Sequence, residues 1–491
     1  VRSGYSALSD AAQIALTALA AVIVALMGWL TWGEQLAGMY RRLGDGGQLA
    51  LTAAAASIFY VTPAFFLYFL ALAALFVLIY LRPAWGLALV AFTFPFYVPQ
   101  LTKPILAYRF SPVEVFMLIT AGAFALRWLT DWAAHRRNGD TAQRAGFSWH
   151  RADYAVLAFT AVATLSLLFS ERLGVATNEW RLVILEPALF YLVLRVLTPQ
   201  EKEMWVILDA YVLGGLVVAL IGLWQYATGQ NLITAEGGLM RLRSIYGSPN
   251  NVALYLGRMV PLLVAMLLLG RSAVQPRRWA YSLAIIPMGL ALLLTFSRGG
   301  LLLGIPAGLL VVFWIWQRSR GRSPWPWAIG FALLAVVGLF LASQVPQLAG
   351  RLDLSGATGV FRINLWRASL EMIREHPLFG VGLDNFLYAY RGRYILDAAW
   401  QEPNLNHPHN IVLDFTTRLG IFGLLTGAWL ILSLASTLKR DLASSPPGWL
   451  PIAAGFCGSL AAMLVHGLVD HSFFLVDLAF SFYLMLGTAV W

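Results

Sequence analysis

The segment His407-Pro408-His409-Asn410 sets two histidines and an amide directly before a long apolar run. Histidine can be neutral near neutral pH and can then accept a proton. At the first turn of a helix, the positive end of the dipole favours the neutral imidazole further. His409 is therefore a candidate proton acceptor, and Asn410 is a candidate cap of the following helix. A hydrogen-bonded histidine at the water boundary, without a chemical role, is the simpler alternative.

Metal binding is a second alternative for this segment. His407 and His409 form an H-x-H pair, and His466, Asp470 and His471 follow later in the chain. A spacing of two residues outside a strand is a weak ligand pattern, and the acidic residues do not cluster with the pair. We therefore expect no metal site and no cofactor.

Three arginines flank short junctions between apolar blocks. Arg241 and Arg243 precede the turn at Ser248, and Arg298 belongs to the Ser297-Arg298-Gly299-Gly300 junction. Arginine presents a planar fork of donors that matches phosphate oxygens, and it stays charged at any relevant pH. The three residues therefore predict a site for an anion, most naturally a lipid phosphate or diphosphate. Plain anchoring at lipid headgroups is the alternative.

Asp414 and Arg418 lie inside the apolar run that starts after Asn410. Their spacing of four residues puts them on one helix face, where each neutralises the other inside a membrane. We predict that this pair is structural and braces the start of the helix. Asp470, at the last tight turn, either pairs with an arginine or orients His409.

The composition is typical of a polytopic membrane protein. The 491 residues are 59% hydrophobic and only 12% charged, and the apolar residues form blocks of about 20, the length that spans a bilayer. The net charge of +10 comes largely from short loops between these blocks, so it indicates membrane topology and not nucleic-acid binding. The single cysteine, Cys457, excludes a disulfide framework within the chain.

The apolar blocks predict an all-α fold with about 12 to 14 transmembrane helices. Ser111-Pro112-Val113-Glu114 and Ser248-Pro249 are helix-start signals. We expect the first block, about residues 12–33, to be a retained helix. The predicted spans are roughly 12–33, 58–81, 84–99, 112–131, 153–170, 182–198, 203–227, 249–269, 280–297, 301–317, 325–345, 410–437, 449–470 and 473–490.

The long polar segment before His409 predicts a folded loop subdomain. Residues 360–375 form an amphipathic pattern that Pro377 ends, with Phe361, Leu365, Ala368 and Met372 on one stripe. We therefore divide the chain into a transmembrane bundle at 1–345, a loop subdomain at 346–409 and C-terminal helices at 410–491. The basic loops fall on one predicted side, the cytoplasm, with both termini there and Arg41 and Arg42 as weak exceptions.

Four segments, in the same order along the chain, resemble the signatures of the O-antigen ligase and polymerase superfamily. Together they cover about residues 230–430. They are Arg243 with Pro249-Asn250 after five residues, Ser297-Arg298-Gly299, His376-Pro377-Leu378-Phe379-Gly380-Val381-Gly382, and His409-Asn410 with Gly420-Ile421-Phe422-Gly423 after nine residues.

The resemblance implies an integral-membrane glycosyltransferase of the GT-C type in the bacterial inner membrane, with its active site facing the periplasm. The donor would be a glycan on undecaprenyl diphosphate, and ligases would transfer it to the lipid A core without a metal. Carried over by motif, His409 is the base, Arg243 and Arg298 contact the diphosphate, and Asn250 supports the site. The expected partners are this donor, a glycan or lipid A core acceptor, and membrane lipids.

Three alternatives stay open at the level of sequence. A polymerase would use a second lipid-linked glycan as acceptor, and the signature does not separate it from a ligase. A transporter of an anionic lipid or solute would need ionisable residues near the membrane midplane, for which Arg258 and Asp209 are candidates. A structural membrane module would leave the outward arginines unexplained.

Overall fold

The computed structural model describes residues 33–98, 101–105, 108–137, 148–234, 238–270, 275–330, 332–333, 337, 344, 357–444, 446 and 448–491. The predicted spans at 12–33 and 325–345 lie largely outside these residues. The boundary predicted at residue 345 also lies outside them, so the three-part division of the chain stays a prediction.

Helices dominate the described residues, and the strands form two short antiparallel hairpins. The α-helices are α1 Gly44–Val61, α2 Phe65–Leu81, α3 Pro83–Thr93, α4 Pro112–Arg137, α5 Arg151–Ser166, α6 Leu173–Glu179, α7 Glu186–Leu197, α8 Glu201–Ala227, α9 Pro249–Leu269, α10 Gln275–Leu294, α11 Ile305–Ser319, α12 Ala357–Glu375, α13 Phe386–Ala389, α14 Ile411–Ser444, α15 Leu450–Gly467 and α16 Val476–Val490. The hairpins pair β1 Lys103–Ile105 with β2 Tyr108–Phe110, and β3 Leu232–Thr234 with β4 Met240–Leu242. Turns of π-helix cover Trp180–Leu185, Gly299–Gly304 and Tyr390–Tyr394, and 3-10 turns cover Leu167–Phe169 and Asp397–Ala399.

The chain is an all-α integral membrane protein. Among the described residues, seven helices are long and apolar enough to cross a bilayer, or eight if a bent pair counts as one span. The expected total of 12 to 14 also includes shorter helices and residues outside the described part. The seven are Pro112–Arg136, Arg151–Phe169, Glu201–Ala227, Pro249–Leu269, Gly299–Ser319, Ile411–Ser444 and Leu450–Gly467.

The first compact unit comprises residues 1–147 and 192–211. Here the predicted single span at 58–81 is wrong, because α1 already starts at Gly44 and the chain leaves the helix between Val61 and Phe65. Pro63 explains the break, since proline disfavours a helical conformation at the preceding residue. A second proline, Pro83, follows a bend of 119° between α2 and α3.

The second unit comprises residues 148–191 and 212–491 and has its core where α9, α11 and α15 meet. Small residues let these backbones approach closely, as is usual between membrane helices. A Cβ on Gly458 would lie 2.8 Å from the Gly308 carbonyl oxygen, and one on Gly455 would lie 2.7 Å from the Leu262 Cα. Arg440 Nη2 near the end of α14 lies 2.6 Å from the ring of His150, the residue before α5. The basic end of α14 and the basic start of α5 are therefore neighbours.

Several local predictions are confirmed. The Ser111 backbone N–H donates to the Glu114 carboxylate (2.6 Å) at the start of α4, and the Ser248 hydroxyl accepts from the Asn250 N–H (3.2 Å) at the start of α9. Helix α12 ends at Glu375, and its predicted apolar stripe is buried at Leu365, Ala368 and Met372.

Helix α14 is broken at Gly420, whose φ of 65° and ψ of −161° are essentially restricted to glycine. The break frees two backbone groups that a regular helix would pair. The Thr417 carbonyl accepts from the Val381 N–H (2.8 Å), while the Ile421 N–H donates to the Pro377 carbonyl (2.8 Å). The Pro377–Val381 segment therefore docks on the broken helix through backbone hydrogen bonds, which satisfies groups that would otherwise be costly to bury.

We predict that Gly420→Ala lowers the free energy of unfolding by at least about 2 kcal/mol, because the strained backbone alone costs about 1–3 kcal/mol. In addition, the new Cβ would lie 2.2 Å from the Leu378 backbone. Gly289→Ala is the control, since a Cβ there meets no atom within 4 Å. Thermal unfolding in detergent should separate the variants, and equal melting temperatures would contradict the docking role of Gly420.

Candidate active site

A cavity of about 290 Å³ lies in the second unit, where five separate segments converge. The segments are β4 with the start of α9, the junction after α10, helix α12, the loop before α14 and the turn after α15. Most of the predicted site residues line it. The lining polar groups include Arg241, Arg298, Arg362, Glu402, His409 and Asp470.

His409 lies two residues before the start of α14, and it lines the cavity. Its φ of 50° is left-handed, a costly conformation for a residue with a side chain. Two neighbouring contacts hold it there. The Trp366 indole N–H donates to the Pro408 carbonyl (2.9 Å), and the Asn410 amide oxygen accepts from the Val412 and Leu413 N–H groups (3.0 and 3.1 Å). The predicted cap at Asn410 is thus present.

Asp470 faces His409 and is buried in the turn between α15 and α16. Its Oδ1 lies 3.0 Å from His409 Nδ1 and 3.1 Å from His471 Nδ1. Burial disfavours the charged carboxylate, but the three neighbouring histidines outweigh this effect, so the pKa of Asp470 lies well below its usual range. The sequence-based premise that no acidic residue clusters with the histidine pair is therefore wrong.

His407 is buried near the same carboxylate, with its Nε2 3.6 Å from Asp470 Oδ1. Its Nε2 lies 3.0 Å from His409 Nδ1, and its Nδ1 lies 2.6 Å from the Asn406 amide oxygen. Burial lowers the pKa of His407 well below the usual value, and the neighbouring His471 and His409 lower it further. His407 is consequently neutral.

Arg241 and Arg243 are separated by the structure. Arg241 lines the cavity, with its Nε donating to the Thr295 carbonyl (2.8 Å) and its Nη2 donating to the Asn250 amide oxygen (3.0 Å). Arg243, which carries the motif, instead donates to the Asn231 carbonyl (3.2 Å) and does not line the cavity. Alternation along a strand would put both side chains on one face, but β4 ends at Leu242, so Arg243 lies outside the strand and does not follow this pattern.

Arg298 lines the cavity at the start of the π-helical turn Gly299–Gly304. Turns of π-helix are rare in proteins as a whole, but those that occur are often at functional sites. The preceding Phe296 has a left-handed φ of 47°. The glycines leave room for the His466 ring, since a Cβ on Gly299 would lie 2.7 Å from its Nε2 and one on Gly304 would lie 2.9 Å from its Cβ. His466 therefore packs against the glycines of this junction and is not part of the cluster of His407, His409, Asp470 and His471.

The predicted pair of Asp414 and Arg418 is formed and buried, with 2.8 Å between Oδ1 and Nε. A third member, Glu179 at the end of α6, lies 2.5 Å from Arg418 Nη1. Sequence reasoning missed Glu179 because it is 239 residues distant and has no motif. Arg418 Nη2 also donates to the Asn406 carbonyl (3.5 Å), so the network is linked to the loop that carries His409.

We predict that Arg418→Met lowers the free energy of unfolding by about 3–5 kcal/mol, because it leaves two buried carboxylates without their cation. The control is Arg374→Met, whose side chain is 81% exposed and pairs with Glu371 at only 3.9 Å, a contact of little value in water. Chemical denaturation followed by tryptophan fluorescence measures both. A loss in Arg418→Met no larger than in the control would contradict the bracing role.

Arg362 and Glu402 also line the cavity and were not predicted. Arg362 follows Phe361, which belongs to the apolar stripe of the amphipathic helix. A charged residue at the edge of that stripe was the sequence feature that could have identified Arg362. Glu402 follows a 3-10 turn in an irregular part of the loop, and the sequence carries no signal for its position.

The arrangement combines two chemical capacities in one cavity. His409 has its Nδ1 held by a buried carboxylate, the contact that orients an imidazole as a base through its other nitrogen. Arg241, Arg298 and Arg362 supply cationic donors, of which Arg241 is oriented by a carbonyl and an amide. The cavity can therefore accept a proton at one group and stabilise an anion at others.

The comparison with known families covers three of the four sequence motifs. Residues 283–428 match the family described as O-antigen ligase. This range includes Arg298, the Pro377–Val381 segment, His409 and the break at Gly420. A search of curated proteins finds no match to the chain. Residues 283–428 therefore carry an O-antigen ligase domain, which supports a place for the protein in the O-antigen ligase-like superfamily.

Proposed function

We propose that the protein is an inverting, metal-independent glycosyltransferase of the O-antigen ligase type. It transfers a glycan from undecaprenyl diphosphate to a sugar hydroxyl of the lipid A core. The observation that carries the proposal is the shared cavity of His409, held by Asp470, and the arginines Arg241 and Arg298. A proton acceptor and fixed cations in one cavity suit a reaction that breaks a sugar–phosphate bond.

The arginines act on the leaving group. As the bond between the anomeric carbon and the phosphate oxygen breaks, negative charge grows on the lipid diphosphate. Arg241 and Arg298 stabilise this charge, and the hydrogen bonds of Arg241 to the Thr295 carbonyl and Asn250 fix its direction beforehand. Arg362 adds a third cation at the same cavity. These cations supply what a divalent ion supplies in many other transferases.

His409 acts on the acceptor. Its Nδ1–H donates to Asp470, which leaves the lone pair of Nε2 for the hydroxyl proton of the acceptor sugar. The hydroxyl oxygen forms a bond to the anomeric carbon as the phosphate oxygen leaves with the bonding electrons. The proton ends on His409, and the single displacement inverts the anomeric centre.

The basic loops support an orientation with this cavity on the periplasmic side of a bacterial inner membrane, both chain termini being cytoplasmic. The donor lipid stays in the bilayer, and its diphosphate reaches the cavity from the outer leaflet. The fold would be of the GT-C type. The transporter alternative loses support at Arg258, whose guanidinium donates to the Leu478 carbonyl (2.6 Å) and the Ser472 carbonyl and so supports the turn near Asp470.

The test is transfer by the purified protein in detergent with EDTA. The undecaprenyl-diphosphate glycan is offered with lipid A core or with a second lipid-linked glycan. Product on lipid A core is the expected result, and product only on the second glycan assigns a polymerase instead. No product with either acceptor, together with flux of the donor lipid in proteoliposomes, would replace the transferase by a transporter.

A further inference from the structure

We propose that His407, His409, Asp470 and His471 bind one divalent transition-metal ion, of which Zn²⁺ fits best, and that the bound ion inhibits the enzyme. Each side chain offers one ligand atom, and the four atoms lie within 4.8 Å of one another. Three of the residues are buried and His409 is half-buried at the cavity wall. The site thus has a closed interior and one open side.

The distances between the ligand atoms fit a tetrahedral ion. His407 Nε2 and His409 Nδ1 are 3.0 Å apart, and Asp470 Oδ1 lies 3.0 Å from His409 Nδ1 and 3.6 Å from His407 Nε2. In a tetrahedral zinc site with bonds of about 2.0–2.2 Å, the ligand atoms are about 3.3–3.6 Å apart. Movements of a few tenths of an ångström would therefore bring His407, His409 and Asp470 to this spacing. His471 would have to move by about an ångström more, because the four ligand atoms lie up to 4.8 Å apart.

The hydrogen-bonding pattern also points to a cation at the centre. The Asn406 amide oxygen can only accept, so His407 Nδ1 carries the hydrogen and its Nε2 presents a lone pair to the cluster. His409 Nδ1 then faces two acceptors, His407 Nε2 and Asp470 Oδ1, with one hydrogen for both. An ion would use all of these lone pairs. A ligating histidine ordinarily donates its second N–H to an oxygen, as His407 does.

The donor set favours one class of ion. Three imidazoles and a single carboxylate suit Zn²⁺, Cu²⁺ or Ni²⁺, whereas Mg²⁺ and Ca²⁺ prefer oxygen ligands. The arginines that line the adjoining cavity raise the local positive potential. They therefore disfavour ions whose binding depends on charge alone.

The inhibitory half of the proposal rests on the proposed function. An imidazole that ligates through Nδ1 keeps its proton on Nε2, the nitrogen that has to accept the hydroxyl proton. A bound ion would therefore remove the base while the arginines and the cavity stay in place. Metal binding itself does not depend on the reaction.

Binding is tested on the full-length protein in detergent after removal of metal with EDTA. Equilibrium dialysis against Zn²⁺ followed by elemental analysis should give one ion per chain, and Co²⁺ should give the visible absorption of a tetrahedral complex. His407→Gln and His471→Gln should each weaken Zn²⁺ binding at least tenfold, whereas the exposed control His135→Gln should not. Melting temperatures without metal identify any variant that fails to fold. Equal binding by wild type and a folded His407→Gln/His471→Gln variant would overturn the site.

Inhibition is tested separately by glycan transfer. Zn²⁺ should abolish transfer by the wild type, EDTA should restore it, and His471→Gln should need at least tenfold more Zn²⁺. Stoichiometric binding with full transfer would overturn the inhibitory half. If the zinc-free protein transfers no glycan, the proposed function fails while the binding result stands.

Discussion

Replacement of His409 by alanine should lower kcat/KM for glycan transfer by about 10²–10⁴-fold, the usual contribution of a general base. The expectation rests on the contact between His409 Nδ1 and Asp470 Oδ1 (3.0 Å) and on the cavity that the ring lines. The protein should still bind the lipid-linked donor, because the arginines are unchanged. Initial rates with saturating acceptor, together with donor binding, measure the two effects.

Two further variants make this result specific. Asp470→Asn keeps the shape of the turn but removes the acceptor that sets the tautomer of His409, so transfer should fall while donor binding persists. His135→Ala, an exposed histidine on α4 in the other compact unit, should transfer at the wild-type rate. Full activity of His409→Ala would show that another group, such as Glu402, accepts the proton.

Replacement of Arg298 by alanine should lower kcat by about 10²–10³-fold, the typical loss when one donor to a developing oxyanion is removed. Arg298→Lys should recover only part of this rate, because an ammonium keeps the charge but lacks the planar fork. Arg241→Ala should be similarly impaired, since Arg241 lines the same cavity with its direction fixed by Thr295 and Asn250. Single-turnover transfer at saturating donor isolates this effect from substrate binding.

The comparison of Arg241 with Arg243 tests the cavity directly. The motif selects Arg243, whereas Arg241 lines the cavity, so Arg241→Ala should cost more than Arg243→Ala. Arg374 is an exposed residue of α12, so Arg374→Ala controls for the loss of a positive charge. The reverse order of effects would mean that the diphosphate binds outside this cavity.

The local features of the fold were accessible from sequence because each depends on near neighbours. The caps at Ser111, Ser248 and Asn410 need only a short polar side chain before a helix, and the stripe of α12 needs only helical periodicity. The wrong span at 58–81 has a local cause too. Its hydrophobicity masked the break at Pro63, because a hydropathy window averages over the residue that ends the helix.

The residues of the candidate site could be predicted from the sequence only in part. Residue types and spacing by themselves determined the membrane class, through composition. Through short motifs they also predicted the resemblance to the superfamily, His409 as a proton acceptor and Arg298 as an anion-binding residue. Only the tertiary structure decided that Asp470 contacts His409, that Glu179 completes the Arg418 network and that Arg241 lines the cavity in place of Arg243. These contacts join segments up to 239 residues apart, and such pairings depend on how the helices pack, which no local pattern encodes.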